Sequence, residues 1–178
     1  MKSSVKWIVM TILVAILFCG SFVYFYTKQA VESNSPTAGV EKKNENPLPE
    51  AKLFSIENEL LSDDILRKGK VILIFVSPTC DACHTEGEFL KGLLEKRNDV
   101  KFYGVTSFGK AKESLESSEG KFPFKVLYDG DSLLAIGLGI KKVPIKIYLE
   151  DGIIKKVWGG ATTDETKKQE FISWLEKV

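Results

Sequence analysis

The chain has 178 residues, enough for one ordinary domain with accessory segments, because single domains most often contain about 100 to 150 residues. Its 25 basic and 24 acidic side chains leave a formal net charge of +1. This balance argues against the basic surface by which nucleic-acid-binding proteins hold phosphates, so we expect no nucleic acid among the partners.

The N-terminal segment differs in composition from everything after it. Residues 7–26 carry no charge, and a helix of this length, rising about 1.5 Å per residue, spans roughly the 30 Å thickness of a bilayer. We therefore expect residues 1–26 to be a membrane anchor, a single N-terminal transmembrane helix. A cleaved signal peptide is the alternative, although its apolar core usually has only about 7 to 15 residues. Lys2 and Lys6 favour a cytoplasmic N-terminus and place the remaining chain on the extracytoplasmic side of the cell membrane.

The next segment has the composition of a linker. Residues 27–49 show no sustained apolar period and are rich in Ser, Asn, Pro, Glu and Lys, which is typical of a flexible, solvated chain. We expect the folded domain to occupy residues 50–178.

The first half of this domain alternates strand and helix patterns. Residues 71–76 form a continuous apolar run, which predicts a central strand buried on both faces. Apolar residues at helical spacing predict a helix from near Cys80 to Arg97, followed by a strand over 100–106 and a surface helix over 110–118. This order indicates a parallel α/β unit.

The second half predicts a short strand over 125–128, a short helix over 131–137 and then a hairpin. Its two strands, 145–149 and 153–157, are joined through an Asp-Gly pair, a strong turn signal. Thr162 and Glu165 have the spacing of a capping box before a final helix. Trp158 and Trp174 are interpreted as packing residues.

The chemistry of the domain is predicted at Cys80 and Cys83, its only cysteines, where the buried strand meets the next helix. Unpaired N–H groups and the positive end of the helix dipole favour a thiolate at Cys80, while the carboxylate of Asp81 opposes it. The two residues are three apart on a helical turn, within disulfide range. We expect Cys80 to attack and the more sheltered Cys83 to resolve, with a redox-active disulfide and no cofactor.

Glu86 lies three residues beyond Cys83 on the same helical face. It is a candidate acceptor for the proton of Cys83. The alternative is a carboxylate on the solvated surface of the helix.

Other interpretations of the cysteine pair remain open. A structural disulfide is one, although a four-residue loop gains little stability from cross-linking. With His84 the segment also matches the C-x-x-C-H pattern of covalent haem c attachment, but this is the chain's only histidine and the only methionines are Met1 and Met10. A zinc site has too few ligands, so no metal is expected.

The chain resembles the thioredoxin superfamily, and within it the membrane-anchored TlpA/ResA-like proteins associated with cytochrome c maturation. The resemblance covers nearly all of 50–178 and is carried by Gly69-Lys70 before the strand VILIFVS, the cysteine pair, Glu86, and Val143-Pro144 before a strand and Asp-Gly hairpin. It implies a thioredoxin-like α/β fold with a central mixed sheet flanked by helices. It also implies that Pro144 is cis and holds the client backbone against Cys80, with Val143 and Thr79 beside it.

Three residues depart from the family pattern. Thr79 stands where tryptophan is usual, Ile74 replaces a buried polar residue, and Gly87 replaces a proline or bulky residue. The Ser-Pro-Thr-Cys start is similar to that of thioredoxin-like proteins of methylamine dehydrogenase maturation.

From the resemblance and the residues together we expect a thiol–disulfide oxidoreductase that reduces exported protein clients. Its partners would be client dithiols or disulfides, a membrane thiol donor or acceptor protein, and the membrane itself through residues 7–26. A haem-carrying electron-transfer protein and a non-catalytic thioredoxin-like binding module are the alternatives.

Overall fold

The computed structural model describes residues 46–57, 59–62, 64–107 and 111–178, which form an α/β domain. Its strands are β1 Lys52–Phe54, β2 Leu60–Leu61, β3 Lys70–Phe75, β4 Lys101–Thr106, β5 Lys125–Gly130, β6 Ile145–Glu150 and β7 Ile153–Gly159. Its helices are α1 Asp64–Arg67, α2 Asp81–Leu94, α3 Ala111–Ser118, α4 Leu133–Leu138 and α5 Glu165–Leu175.

The strands of the described residues form one mixed sheet in the order β2-β1-β5-β4-β3-β6-β7. The pairs β3–β4 and β4–β5 are parallel, as the strand–helix–strand order of the first half predicts. The remaining neighbours are antiparallel. The expected central mixed sheet is therefore confirmed.

Strand β3 is buried on both faces, which is why its sequence is apolar throughout. Ile72 and Ile74 pack into the apolar cluster that contains residues of α2 and α5. Leu73 and Phe75 pack into the cluster on the other face, with residues of α1 and α4. Each such side chain contributes about 1.5 to 3 kcal/mol when fully buried, so this strand fixes the position of whatever follows it.

The predicted hairpin joins β6 to β7 as antiparallel neighbours. Asp151 and Gly152 at the turn both have positive φ values, 48° and 78°. Two-residue turns of this kind need left-handed backbone at both central positions, which Asp and Gly tolerate best. The Asp-Gly signal is confirmed.

Helix α4 begins two residues later than the sequence predicts. Asp131 and Ser132 adopt left-handed φ values of 58° and 53°, so they cannot belong to the helix. The helix start is held by buried Asp129, whose carboxylate accepts hydrogen bonds from the N–H groups of Leu134 and Ala135 at 3.1 and 2.8 Å.

The capping box predicted at Thr162 is wrong. The N-cap of α5 is Asp164, whose carboxylate accepts a hydrogen bond from the N–H of Lys167 at 2.8 Å. Thr162 is buried ahead of the helix and bonds to α2 instead. Trp158 and Trp174 do pack as predicted, with ring centroids 4.8 Å apart in an edge-to-face arrangement.

The first described residues, 46–49, pack on the domain although their composition resembles a linker. Leu48 is buried, its N–H donates to the carbonyl of Gly152 at 2.8 Å, and the N–H of Ile154 donates to the carbonyl of Asn46 at 3.0 Å. The guanidinium of Arg67 donates to the carbonyls of Leu48 and Pro49. The chain therefore enters the domain at the hairpin turn between β6 and β7.

None of the helices within the described ranges has the length and apolar character needed to cross a bilayer. The anchor expected at residues 7–26 lies outside those ranges.

Candidate redox-active site

Cys80 and Cys83 lie where the chain passes from the buried strand β3 into α2. Cys80 is the N-cap residue of α2, and Cys83 lies in its first turn. Their Cα atoms are 5.2 Å apart, and the two sulfurs are joined as a disulfide. The position predicted from the sequence is confirmed.

The helix start supplies an electrostatic environment suited to a sulfur anion. The N–H of Cys83 points at Sγ of Cys80 over 3.2 Å, so the sulfur takes the place of a capping oxygen. It also faces the positive end of the α2 dipole, which stabilises negative charge. When the disulfide opens, this arrangement favours the thiolate at Cys80 over that at Cys83.

In the reduced protein we expect Cys80 to become a thiolate below the ordinary thiol pKa of about 8.5, because the helix start stabilises the anion. The pH dependence of iodoacetamide alkylation, followed residue by residue with mass spectrometry, measures this. Exposed Asp81 offers a matched control: Asp81→Asn removes a neighbouring negative charge and should lower the midpoint further. A midpoint at or above about 8.5 for Cys80 would contradict the prediction.

The two sulfurs differ in their access to solvent. Cys80 is half-buried, whereas Cys83 is fully buried within the apolar cluster between the sheet and α2. A client disulfide can therefore reach Cys80 first. Which sulfur attacks and which resolves stays a prediction.

The residues implied by the resemblance to bind the client surround Cys80. The peptide bond between Val143 and Pro144 is cis, as expected, and the carbonyl oxygen of Val143 lies 3.9 Å from Sγ of Cys80. Pro144 is buried, and Thr79 is exposed and directly precedes Cys80. Half-buried Val143 packs against the apolar clusters on both faces of the sheet.

Glu86 is fully buried, so it is not the solvated surface carboxylate of the alternative interpretation. Oε2 accepts a hydrogen bond from the N–H of Thr162 at 2.5 Å, and Oε1 accepts one from the Thr162 hydroxyl at 3.0 Å. Oε1 also lies 2.9 Å from Nζ of Lys146. The carboxylate thus has a fixed orientation and a cationic partner.

Lys146 is a component of the site that the sequence analysis missed. Its side chain is 2% exposed, and its ammonium group contacts Glu86, the Thr162 hydroxyl at 3.0 Å and the Gly160 carbonyl at 3.2 Å. Burial lowers its pKa from the ordinary value, and the negative charge of Glu86 partly offsets that effect. Lys146 lies directly opposite Ile74 in the β3–β6 pairing. Lys146 therefore places a buried polar group on the neighbouring strand, beside the position where β3 has the apolar Ile74.

Comparison with known proteins finds relatives that are similar in sequence. No family model matches the chain. It is 29% identical over 137 residues to the thiol:disulfide interchange protein DsbE of Yersinia pestis, covering 74% of this chain and 72% of that protein. It is 26% identical to the protein of the same name from Escherichia coli K12 over 74% of this chain and 73% of that protein.

Solved structures share the fold. A putative DsbE from Chlorobium tepidum superposes with a TM-score of 0.64 at 14% identity, covering 75% of this chain and 96% of that one. StoA from Bacillus subtilis superposes with a TM-score of 0.55 at 22% identity, covering 74% and 98%. The chain shares the thioredoxin-like fold of these structures and is similar in sequence to thiol:disulfide interchange proteins. With its Cys80–Cys83 pair, it is a thiol–disulfide oxidoreductase.

In this oxidoreductase His84 is engaged in packing beside the disulfide. Its Nε2 lies 3.1 Å from the carbonyl oxygen of Pro78, and its ring stacks on Phe122 with centroids 5.2 Å apart. The cysteine sulfurs are bonded to each other rather than available for thioether bonds. Both observations favour the disulfide over the haem interpretation of the C-x-x-C-H pattern. Among the described residues no group of three or more His, Cys, Asp or Glu could hold a metal ion.

Gly87, a departure from the branch pattern, has a packing reason. A Cβ at this position would lie 3.3 Å from Cδ of Pro123 and 3.4 Å from Cδ1 of Phe122. The missing side chain therefore lets the segment after α3 approach α2 closely. This approach brings Phe122 against His84, next to the cysteine pair.

Proposed function

We propose that this oxidoreductase reduces disulfides in exported protein clients, for example during the maturation of cytochromes c or of other exported proteins. One observation carries the proposal. The half-buried sulfur of Cys80 caps α2 beside cis Pro144, while its partner Cys83 is enclosed. This is an arrangement in which one sulfur meets the client and the other completes the exchange.

The exchange proceeds in two displacements. The thiolate of Cys80 attacks one sulfur of the client disulfide, which forms a mixed disulfide and releases the other client sulfur as a thiolate. Cys83 then loses its proton to Glu86 and attacks Sγ of Cys80. The second client sulfur leaves as a thiolate, and the Cys80–Cys83 disulfide forms. Two electrons pass to the client, whose two thiolates take protons from water or remain ionised.

Client binding is proposed at the surface formed by Thr79, Val143 and Pro144. Thr79 is exposed, and Val143 places its carbonyl oxygen beside Sγ of Cys80. A client chain lying along Pro144 would bring its disulfide to the attacking sulfur. Threonine in place of the usual tryptophan makes this surface smaller and more polar.

The reducing direction requires a source of electrons. We propose a membrane thiol donor protein that regenerates the dithiol, with the domain held on the extracytoplasmic side of the cell membrane by an anchor at residues 7–26. The uncharged composition of that segment supports the anchor, and Lys2 and Lys6 support its orientation.

Replacing Cys83 with serine should trap clients on Cys80, because the mixed disulfide forms but nothing inside the protein resolves it. Full-length Cys83→Ser is first reduced, so that Cys80 is a free thiol, and is then mixed with client proteins. It is expected to form adducts that a reducing agent releases. The adducts are detected on non-reducing gels and mapped to Cys80 by mass spectrometry. The matched control is the variant with both cysteines replaced, which should yield none. Active wild-type protein without adducts of Cys83→Ser would show that the two sulfur roles are misassigned.

A further inference from the structure

The buried ion pair between Glu86 and Lys146 joins the active-site helix to the sheet. Both side chains are at most 2% exposed, and Nζ of Lys146 also lies 5.6 Å from the centroid of the Phe171 ring. In an ion pair buried this deeply, the attraction between the charges offsets the free-energy cost of removing them from water only when their remaining hydrogen-bonding groups are satisfied. Thr162 and the Gly160 carbonyl meet that requirement here.

The pair lies next to the sulfur that must lose a proton during resolution. Cys83 and Glu86 are three residues apart on α2, so their side chains are neighbours on one face, and both are buried. Cys83 belongs to a buried apolar cluster that also contains Phe171. An unpaired carboxylate in such surroundings would hold a proton at neutral pH and could not accept another.

We propose that Lys146 is a positioning residue for the exchange reaction: its ammonium group, with Thr162, keeps the buried Glu86 carboxylate ionised and oriented to take the proton of Cys83. This inference rests on the proposed exchange and on the proton-accepting role of Glu86. In this role Lys146 acts through Glu86, which its ammonium group contacts.

In the proposed step the proton must afterwards leave Glu86 for solvent. It passes from Sγ of Cys83 to a carboxylate oxygen of Glu86, and Glu86 returns to its ionised form by releasing it to water. Lys146 and Thr162 both line an open cavity of about 300 Å³. Lys156 from β7, and Lys167 and Glu170 from α5, are the other charged groups lining this cavity. Of these, Lys167 lies close enough to lower the pKa of Lys146 further by charge repulsion.

The test is the pH dependence of disulfide formation in the reduced full-length protein, mixed with oxidised glutathione and quenched at intervals. Lys146→Met removes the charge but keeps much of the side-chain volume, and Lys146→Arg keeps the charge. Glu86→Gln removes the acceptor. The Glu86→Gln and Lys146→Met double variant removes both charges, so no single charge remains buried without a partner.

The resolution step of Lys146→Met should have its midpoint at least about one pH unit higher than wild type, making it about tenfold slower at neutral pH and recovering at high pH. Lys146→Arg should restore most of the wild-type profile. Adding Lys146→Met to Glu86→Gln should change the profile no further, because the acceptor is already gone.

Three outcomes would overturn the inference. They are an unchanged midpoint in Lys146→Met, an equal slowing at every pH, or a further shift of the midpoint in the double variant. If Glu86→Gln keeps the wild-type profile, the proton acceptor is another group and the inference fails while the cysteine chemistry stands. Failure of the exchange proposal itself looks different, because the wild type would then form no mixed disulfide at all.

Discussion

Replacing Cys80 with serine is expected to lower the rate of thiol–disulfide exchange to below about one-thousandth of the wild-type rate, because a serine hydroxyl at this position is not a nucleophile toward disulfides. The fold should persist, since Cys80 is only half-buried and its disulfide closes a loop of four residues. Turnover of a fluorescent disulfide substrate and circular dichroism, recorded on the same samples, measure the two effects.

The chain offers a matched control for this substitution. Its third cysteine, Cys19, lies in the N-terminal apolar segment, and Cys19→Ser should leave exchange unchanged. Retention of a tenth or more of the activity in Cys80→Ser would show that the chemistry does not depend on this sulfur. A non-catalytic binding module would differ already in the wild type, which would then show no exchange.

Replacing Glu86 with alanine is expected to lower the free energy of unfolding by about 3 to 5 kcal/mol, because the ammonium group of Lys146 would stay buried without its counter-charge. Domains are typically stable by only about 5 to 15 kcal/mol, so the loss should be plain in a urea titration. The measurement should be made with the cysteine pair held in a single redox state.

Two further variants identify the cause of that loss. In the double variant Glu86→Leu and Lys146→Met both charges are replaced by apolar groups, and most of the stability should return. The exposed pair of Lys68 with Asp64 is the surface control, and Lys68→Ala should cost less than about 1 kcal/mol. A loss for Glu86→Ala no larger than that for Lys68→Ala would mean that Lys146 finds solvent or another partner.

Local sequence signals predicted the frame of the site because each has a direct structural cause. The apolar run at 71–76 reports burial on both faces of the sheet, and the Asp-Gly pair reports the left-handed turn at 151 and 152. The short elements β1, β2 and α1 were not predicted. They have two to four residues each, and β1 exists because β5 pairs with it.

The ion pair could not be predicted from local patterns. In β6 the residues alternate between apolar and polar, which usually indicates a strand with one solvated face, so Lys146 resembles a surface residue. Its burial follows from Ile74 opposite it and from Glu86 and Thr162, which come from distant parts of the chain. The same long-range contact explains why Thr162 is not the cap of α5.

The packing of residues 46–49 at the hairpin turn determines which face of the molecule remains accessible. The turn lies at the Glu150 end of β6, whereas Cys80 follows the end of β3 that pairs with Ile145. Five residue steps of strand separate these two ends, roughly 17 Å at about 3.3 Å per residue. A segment joined before residue 46, natural or engineered, is therefore attached at the end of the domain opposite the two sulfurs. Immobilising the protein through its N-terminus on a bead should leave the exchange face pointing outward.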